Sequence, residues 1–382
     1  MNTNHFLSSF LPQVAPLDIS QQALPADLVS IGDYQRHAEA MLHPAVTAYV
    51  NGGSADEITL SQNTQAFEQI QLLPRLLQSF EQASTQVNSG GMTLAHPILL
   101  GPVAHQSLYH PEAELATATA AAAMKTPMVV STLASQPLEA IQQAGDSPKW
   151  FQLYWQPSRQ DNLKLLQRAA DAGYEAVVIT LDATISGLRN RAERSGFHLN
   201  DQPHPNLEGL TQPSLQSVSS QGKSQILHGA MSFTPDMADI EWLRKALPLP
   251  LIAKGVLNPL DARMLKDDLG LDGLIVSNHG GRVLDTVPAA LTQLPLIRQA
   301  VGNDYPLLFD SGIRRGSDIF KAIALGADAV LIGRPQAWAL AVAGATGITH
   351  MLGLLQHELE TCMAQIGCPQ LANACPEFLT GQ

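Results

Sequence analysis

The sequence predicts a single α/β domain built as a (β/α)8 TIM barrel, with an N-terminal helical extension and a long loop after strand 4. Two observations predict this fold. From residue 96 onward, short apolar runs alternate with amphipathic helical segments eight times, without hairpin signals between them. This pattern is typical of parallel strands joined by crossover helices. Eight such units close naturally into a barrel. An open doubly wound sheet is the alternative, because periodicity alone does not prove closure.

The predicted strands are short and rich in β-branched residues and leucine. They span residues 97–103, 127–130, 150–154, 176–181, 250–253, 274–276, 306–309 and 329–332. The clearest helical patterns cover residues 112–124, 162–172, 259–266 and 318–324. The barrel is therefore placed at 96–370, followed by a C-terminal tail at 371–382.

Residues 1–95 are predicted to form the N-terminal arm and extension. Residues 1–30 are polar and contain proline, which indicates a loosely held arm, and 31–47 have a helical pattern. The sequence Tyr-Val-Asn-Gly-Gly at 49–53 is typical of a helix end. Residues 54–95 are predicted to be irregular, with a small hairpin near Thr93.

One connection is unusually long. Residues 184–237 are rich in Ser, Gln, Pro and Asn, and a loop of this length inside a compact domain is usually functional or disordered. It follows the fourth strand, so it lies on the face where barrel active sites occur. We interpret it as a partly mobile lid over the site. A neutral insertion is the alternative.

Composition narrows the class of protein. The 382 residues are 45% hydrophobic and carry a net charge of −12, which argues against nucleic acid or an anionic membrane as a partner. No apolar run approaches the roughly 20 residues that span a bilayer, and the N-terminus lacks a signal-peptide pattern. Three cysteines without zinc-like spacing indicate reduced thiols, no metal site and a cytoplasmic location.

The most informative stretch follows the sixth predicted strand. There the apolar run 274–276 gives way to Ser-Asn-His-Gly-Gly-Arg at 277–282. The imidazole of His279 is suited to moving a proton near neutral pH, and the guanidinium of Arg282 to binding a carboxylate. This pairing predicts chemistry on a small carboxylic acid. Taken alone, a histidine in such a loop is more often structural.

Polar or small residues also follow the other strands, and a barrel brings strand ends to one face. In chain order they are Pro102, Val103, Ala104, Ser131, Gln152, Tyr154, Thr180, Asp182, Arg189, Lys254, Ser277, Asp310, Gly312, Arg314, Gly333 and Arg334. The Gly-Arg pairs after strands 7 and 8 stand where barrels bind phosphate. Lys254 on a buried strand needs a negative partner, and Asp182 is suited to orienting His279.

Single residues in this set also have ordinary structural interpretations. Asp310 is suited to bonding sugar-type hydroxyls, but it is equally suited to capping a helix. Ser131, Gln152 and Thr180 are suited to bonding the edge of a heterocycle. Each of them alone is more often a satisfied polar residue at a strand end.

Several segments together resemble the FMN-dependent 2-hydroxy acid oxidase and dehydrogenase family, of lactate oxidase and glycolate oxidase type. The most specific segments are residues 277–285, 309–316, 333–335 and 150–154. Residues 184–191 are similar to lactate oxidase in particular. The resemblance covers residues 30–370, about the whole of one FMN hydroxy acid dehydrogenase domain.

The resemblance implies an FMN-dependent (S)-2-hydroxy acid oxidase that produces a 2-oxo acid and returns electrons to O2 as H2O2. It implies that His279 is the base, Asp182 its partner, and Arg189, Arg282, Tyr49 and Tyr154 the substrate-binding residues. For FMN it implies Pro102, Val103, Ala104, Ser131, Gln152, Thr180, Lys254, Ser277, Asp310, Gly312, Arg314, Gly333 and Arg334. A homo-oligomer, commonly a tetramer, is also implied. Without the resemblance, Tyr49 would be taken as a packing aromatic.

Other functions remain open on the sequence. A dehydrogenase of the same family would pass electrons to a quinone or cytochrome instead. A flavin-free barrel lyase would use Lys254 as a Schiff base, and a flavin-binding protein would not catalyse at all. One departure bears on the substrate, because Leu133 stands where glycolate and lactate oxidases carry an aromatic. An aliphatic there implies room for a longer or aromatic acid.

Overall fold

The computed structural model describes residues 24–199, 202–211 and 223–380. Eight parallel strands close into one barrel, in which β8 pairs with β1 through Val330 and Ile98. The strands are β1 (Ile98–Leu100), β2 (Met128–Ser131), β3 (Lys149–Leu153), β4 (Ala176–Thr180), β5 (Leu251–Val256), β6 (Gly273–Val276), β7 (Leu307–Phe309) and β8 (Ala329–Ile332). The predicted barrel is confirmed, and the open sheet is excluded.

The strands form because their residues are buried on both faces. Every residue of β2, β4, β6 and β8 is buried, as expected for parallel strands covered by helices. The outer helices are Ala113–Ala123, Leu138–Gln143, Arg159–Ala172, Met237–Ala246, Pro259–Arg263, Ala290–Val301, Gly316–Ala324 and Arg334–Ile366. The four helical patterns read from the sequence all fall on these helices.

The N-terminal extension differs from its prediction in two places. Residues 31–47 form not one helix but two, Ile31–Met41 and Pro44–Asn51, because Pro44 cannot continue a helix and begins the second one instead. Residues 54–95 contain the helix Ile58–Gln69, which was not predicted. The predicted hairpin near Thr93 is confirmed as Val87–Ser89 paired with Met92–Leu94.

The last helix is long and apolar. Among the described residues, Arg334–Ile366 is the one helix that could cross a bilayer by length and composition, but 67% of its apolar window is buried inside the fold. Its backbone leaves helical geometry at Ala343 and Gly344. It therefore packs as a bent core helix around the barrel.

Further sequence expectations concern the cysteines, the C-terminal tail, the lid and the N-terminal arm. Cys362, Cys368 and Cys375 are free thiols, and Leu379–Thr380 pairs with Gln71–Leu72. The lid contains the short helix Asn190–Arg194. Most of the predicted arm (1–23) and parts of the predicted lid (200–201 and 212–222) lie outside the described residues.

The unpredicted helix is held against the barrel by residues that follow β6. The Asp285 carboxylate accepts hydrogen bonds from the backbone N–H groups of Asp56, Ile58 and Thr59, at 3.1, 3.3 and 2.8 Å. Asn278 and Asn63 exchange two side-chain amide hydrogen bonds, at 2.8 and 2.7 Å. These contacts fix the loop that carries His279.

We expect Asp285→Ala to lower the free energy of unfolding by about 1–3 kcal/mol, because it leaves buried N–H groups without an acceptor. Burial raises the pKa of Asp285, but the donated N–H groups outweigh it and hold the pKa below its usual value. The stabilisation is therefore present above the unfolded pKa, near 4, and disappears as the pH falls through the folded value.

Urea unfolding of wild type and Asp285→Ala at pH 7 and at successively lower pH measures this difference. Asp56, an exposed aspartate near Asp285, provides the control. We expect Asp56→Ala to change the free energy of unfolding by less than about 0.5 kcal/mol. Equal effects of the two substitutions would contradict the assigned role of Asp285.

Candidate active site

A cavity of about 480 Å³ opens at the carboxyl ends of the strands. Most of the residues predicted from the sequence line it, and the rest hydrogen-bond to lining residues or to one another. The lining residues among them are Tyr49, Pro102, Val103, Ala104, Leu133, Tyr154, Arg189, Lys254, His279, Arg282, Asp310, Gly312, Arg314, Gly333 and Arg334. The barrel topology thus brings together side chains from β1 to β8, the lid and the extension.

His279 and Asp182 form a directed acid/base pair. His279 Nδ1 lies 3.0 Å from Asp182 Oδ1, and His279 Nε2 lies 3.4 Å from the hydroxyl of Tyr154. Burial lowers the pKa of His279, with Asp182 opposing this and Lys254 adding to it. The imidazole is therefore neutral, with its proton on the Nδ1 that faces the carboxylate. Its Nε2 is left as a base toward the cavity.

The position of Asp182 depends on a glycine in the next strand. A Cβ at Gly255 would lie 2.4 Å from Asp182 Cγ, and Gly255 has a φ of +101°. β5 is irregular at this point, between Lys254 and Val256. Burial raises the pKa of Asp182, but the interaction with His279, which includes their hydrogen bond, and the charge of Lys254 outweigh it and hold the pKa below its usual value. Asp182 is thus an anion that stabilises a protonated His279.

Two guanidiniums stand beside the base. The Cζ atoms of Arg282 and Arg189 lie 5.0 and 5.9 Å from the ring centre of Tyr49. Arg282 also donates to the carbonyl of Tyr49 at 2.8 Å. Arg189 Nε and Nη1 are buried without a hydrogen-bond partner in the described structure. Burial and then the charge of Arg282 lower the pKa of Arg189 to about 10. An anion such as a carboxylate would satisfy both cations.

Lys254 lies at the floor of the cavity. Its Nζ is 3.0 Å from Asp310 Oδ2 and donates to Ser277 Oγ at 2.9 Å. Burial lowers its pKa, but Asp310 and Asp182 outweigh burial and raise it. Lys254 is therefore a protonated ammonium. It is not the free amine that a Schiff base requires, which argues against the lyase alternative.

A row of buried polar groups connects three neighbouring strands near their carboxyl ends. Ser131 Oγ donates to Gln152 Oε1 at 3.1 Å, and Gln152 Nε2 donates to Thr180 Oγ1 at 2.9 Å. These residues end β2, β3 and β4, so neighbouring parallel strands place them in a row. The structure therefore groups the three predicted flavin-edge residues.

The end of the cavity near β7 and β8 carries Gly312, Arg314, Gly333 and Arg334. The Arg314 guanidinium lies 5.0 Å from the ring centre of Trp338. The side chain of Arg334 donates to the carbonyls of Val50, Gly52 and Gly280, each at 2.9 Å. Arg334 therefore offers an anion its charge and the N–H groups of a helix start rather than a free guanidinium.

The charge balance tests whether FMN fits. Among the described residues that line the cavity, there are five Lys or Arg side chains and one carboxylate, Asp310, although the whole chain is acidic. Burial of unpaired cations is costly. A ligand phosphate near Arg314 and a substrate carboxylate near Arg189 would offset this excess. The residues present thus fit FMN together with an anionic substrate.

Sequence reasoning missed several residues that build the site. Asn278 and Asp285 stood inside the recognised segment 277–285 without an assigned role, although a buried Asn-Asp pattern after a strand is itself a signal of loop fixation. Tyr109 and His105 also line the cavity. Both residues follow β1, in a segment whose sequence showed no motif that pointed to them.

Comparison with known proteins places the chain among flavin enzymes. The model of a family described as FMN-dependent dehydrogenase matches residues 38–381. An L-lactate oxidase of Alicycliphilus denitrificans is 48% identical, over 93% of this chain and 99% of the relative. A 4-hydroxymandelate oxidase of Amycolatopsis orientalis is 40% identical, over 91% and 96%.

Solved structures of a mandelate oxidase and an (S)-mandelate dehydrogenase superpose on this chain. A mandelate oxidase variant with (S)-mandelic acid superposes with a TM-score of 0.82 at 36% identity, covering 92% of this chain and 98% of that one. A soluble mutant of the membrane-associated (S)-mandelate dehydrogenase of Pseudomonas putida gives 0.85 at 33% identity, covering 93% and 100%.

We expect Arg189→Met to weaken binding of carboxylate ligands by about 10- to 100-fold, because a hydrogen bond to a charged group contributes about 1.5–3 kcal/mol. Titration of the purified protein with a 2-oxo acid, followed by calorimetry, measures the dissociation constant. The matched control is Arg191→Met on the short lid helix that follows Arg189, since Arg191 is half exposed and pairs with Glu57. Equal affinities of wild type and Arg189→Met would contradict the carboxylate role.

Proposed function

The chain belongs to the FMN-dependent dehydrogenase family, and we propose that it oxidises a lactate-like or somewhat larger (S)-2-hydroxy acid to the 2-oxo acid. Its L-lactate oxidase relatives support O2 as the acceptor, which gives H2O2. The observation that carries the proposal is the position of a neutral base beside two unneutralised guanidiniums. His279 with Asp182 supplies the base, and Arg189 with Arg282 supplies the carboxylate site.

The residues of this chain have separable tasks. Arg189 and Arg282 fix the substrate carboxylate against Tyr49, so the hydroxyl-bearing carbon has one orientation. His279 Nε2 takes a proton from the substrate, and Asp182 stabilises the imidazolium that results. The Tyr154 hydroxyl, 3.4 Å from that nitrogen, lies where it contacts the same substrate oxygen.

FMN, when bound, supplies the two-electron acceptor and the route to O2. Lys254 would offset negative charge on the flavin ring, and Ser131, Gln152 and Thr180 would hydrogen-bond to its edge. Arg314 and the start of the helix Arg334–Ile366 would hold the phosphate. These assignments rest on the fit of charges and hydrogen-bonding groups described above.

Transfer of electrons to a quinone or cytochrome is the second candidate. It is favoured by the superposition on an (S)-mandelate dehydrogenase, whereas the curated L-lactate oxidase relatives favour O2.

Leu133 bears on the substrate. It lines the cavity as an aliphatic side chain, which supports acceptance of acids larger than lactate.

We expect the wild-type protein to show a flavin spectrum that bleaches during anaerobic titration with L-lactate and returns on admission of air with formation of H2O2. His279→Ala should retain FMN and bleach at least about 100-fold more slowly, because it lacks the base. Stopped-flow absorbance measures both rates. Near-native bleaching of His279→Ala would refute the assignment of the base, and failure of O2 to restore the colour would favour the dehydrogenase.

A homotetramer is the proposed assembly. The segment after the helix Ile58–Gln69 exposes Leu73, Leu76 and Leu77, of which the last two are 79% and 103% exposed. Clustered apolar exposure of this kind marks interfaces. We expect light scattering to give about four times the 40.9 kDa chain mass. A monomer mass, or no effect of Leu76→Asp on the mass, would contradict the proposal.

A further inference from the structure

His105 is a buried histidine in the cavity wall that the proposed chemistry does not use. It is 1% exposed and lines the cavity directly after Ala104. Its Nδ1 is buried without a hydrogen-bond partner in the described part of the chain. Buried polar atoms are almost always satisfied in native proteins, so this atom points to a missing partner.

The backbone of His105 is also unusual. Its φ of +54° lies in the left-handed region, which residues other than glycine seldom adopt and which costs free energy. The conformation is held from several sides. His105 N–H donates to the carbonyl of Leu133 at 3.0 Å, and the buried Glu114 accepts from Gln106 N–H and Ser135 N–H. The backbone that carries the imidazole is therefore held in one conformation.

The lid contributes a second ring to this position. His204 lies edge-on to His105, with ring centres 5.2 Å apart, and His204 Nδ1 is also buried and lacks a described partner. The lid segment is anchored nearby through Asn206, which accepts from Leu138 N–H at 3.0 Å and donates to the Gln136 carbonyl. A described part of the lid thus completes the wall around His105.

Barrel topology places this wall opposite the catalytic base. His105 and Leu133 follow β1 and β2, whereas His279 and Arg282 follow β6, four strands from β2 in either direction around the barrel. A substrate held by its carboxylate near Arg282 would extend its side chain toward β1 and β2. The imidazole of His105, which lines the cavity, is then the ring that such a side chain would meet.

We propose that His105, held by His204, recognises a neutral oxygen on the substrate side chain. On this basis the preferred substrates are (S)-2-hydroxy acids that carry a second hydroxyl or a carbonyl beyond C2. Burial, and then the nearby His204, lower the pKa of His105 to about 4, so the ring is neutral at physiological pH. A neutral imidazole offers one donor and one acceptor, which matches a hydroxyl and gives no advantage to a second carboxylate.

The proposal rests on the proposed function, and one pair of substrates separates the two. (S)-2-Hydroxybutanoate and (S)-2,4-dihydroxybutanoate differ by a single hydroxyl. We expect the wild-type holoenzyme to have the higher kcat/KM for the dihydroxy acid. In His105→Leu, the ratio of the two kcat/KM values should fall by about tenfold or more, because one hydrogen bond to the substrate is lost.

Two further variants keep the test decisive if His105→Leu folds poorly. Asparagine tolerates a positive φ and keeps a donor and an acceptor, so His105→Asn should retain most of the ratio. His198, exposed on the same lid, provides the matched control, and His198→Leu should leave the ratio unchanged. Dissociation constants of 2-oxobutanoate and 4-hydroxy-2-oxobutanoate, measured by calorimetry, should show the same discrimination without turnover.

The outcomes are distinguishable. If wild type oxidises neither acid, nor L-lactate, the proposed function fails. If wild type oxidises both acids, but His105→Leu changes kcat/KM for both by the same factor, His105 is structural and only the inference is overturned. A wild-type preference for the acid without the second hydroxyl would also overturn it.

Discussion

The excess of buried positive charge at the carboxyl end of the barrel is the constraint on which the rest of the site depends. Cations in low-dielectric surroundings need partners, and the fold supplies only some of them. Arg282 and Arg334 donate to carbonyls between Tyr49 and Gly52, at the negative end of the helix Pro44–Asn51. The N-terminal extension is therefore part of the site. The remaining positive charge, above all that of Arg189, favours binding of an anionic cofactor and an anionic substrate.

The same burial has opposite effects on the two members of the acid/base pair. Desolvation keeps His279 neutral, while the hydrogen bond from His279 and the positive charge of Lys254 keep Asp182 ionised. A neutral imidazole beside an ionised carboxylate defines which group accepts a proton and which group stabilises the resulting charge. The irregular strand at Gly255 makes room for Asp182, so the pair depends on backbone geometry in a strand that carries neither residue.

In the proposed function, chemistry and substrate recognition occupy different parts of the barrel rim. Loops after β4 to β6 carry the base, its partner and the carboxylate site, and loops after β1 and β2 carry Leu133 and His105. Barrels allow such separation because each loop varies without disturbing the strands beneath it. Under the proposed function, a different side chain in the loops after β1 and β2 changes which acid is accepted. The residues that carry out the oxidation stay the same. The lid connects the two regions, since Arg189 belongs to one and His204 to the other.

The eight strands, their order and most of the site could be predicted from the sequence, because parallel strands align their carboxyl ends at one face. Closure of the sheet into a barrel was established by the structure. The role of Tyr49, and the identity of the heterocycle as a flavin, came from resemblance rather than from pattern. The helix Ile58–Gln69 depends on tertiary contacts, since Asp285, more than 220 positions away, accepts hydrogen bonds from its first N–H groups. Only the tertiary structure revealed the backbone partners of Arg334 and the unmet hydrogen bond of His105. Each of these depends on groups distant in the sequence, which local pattern does not encode.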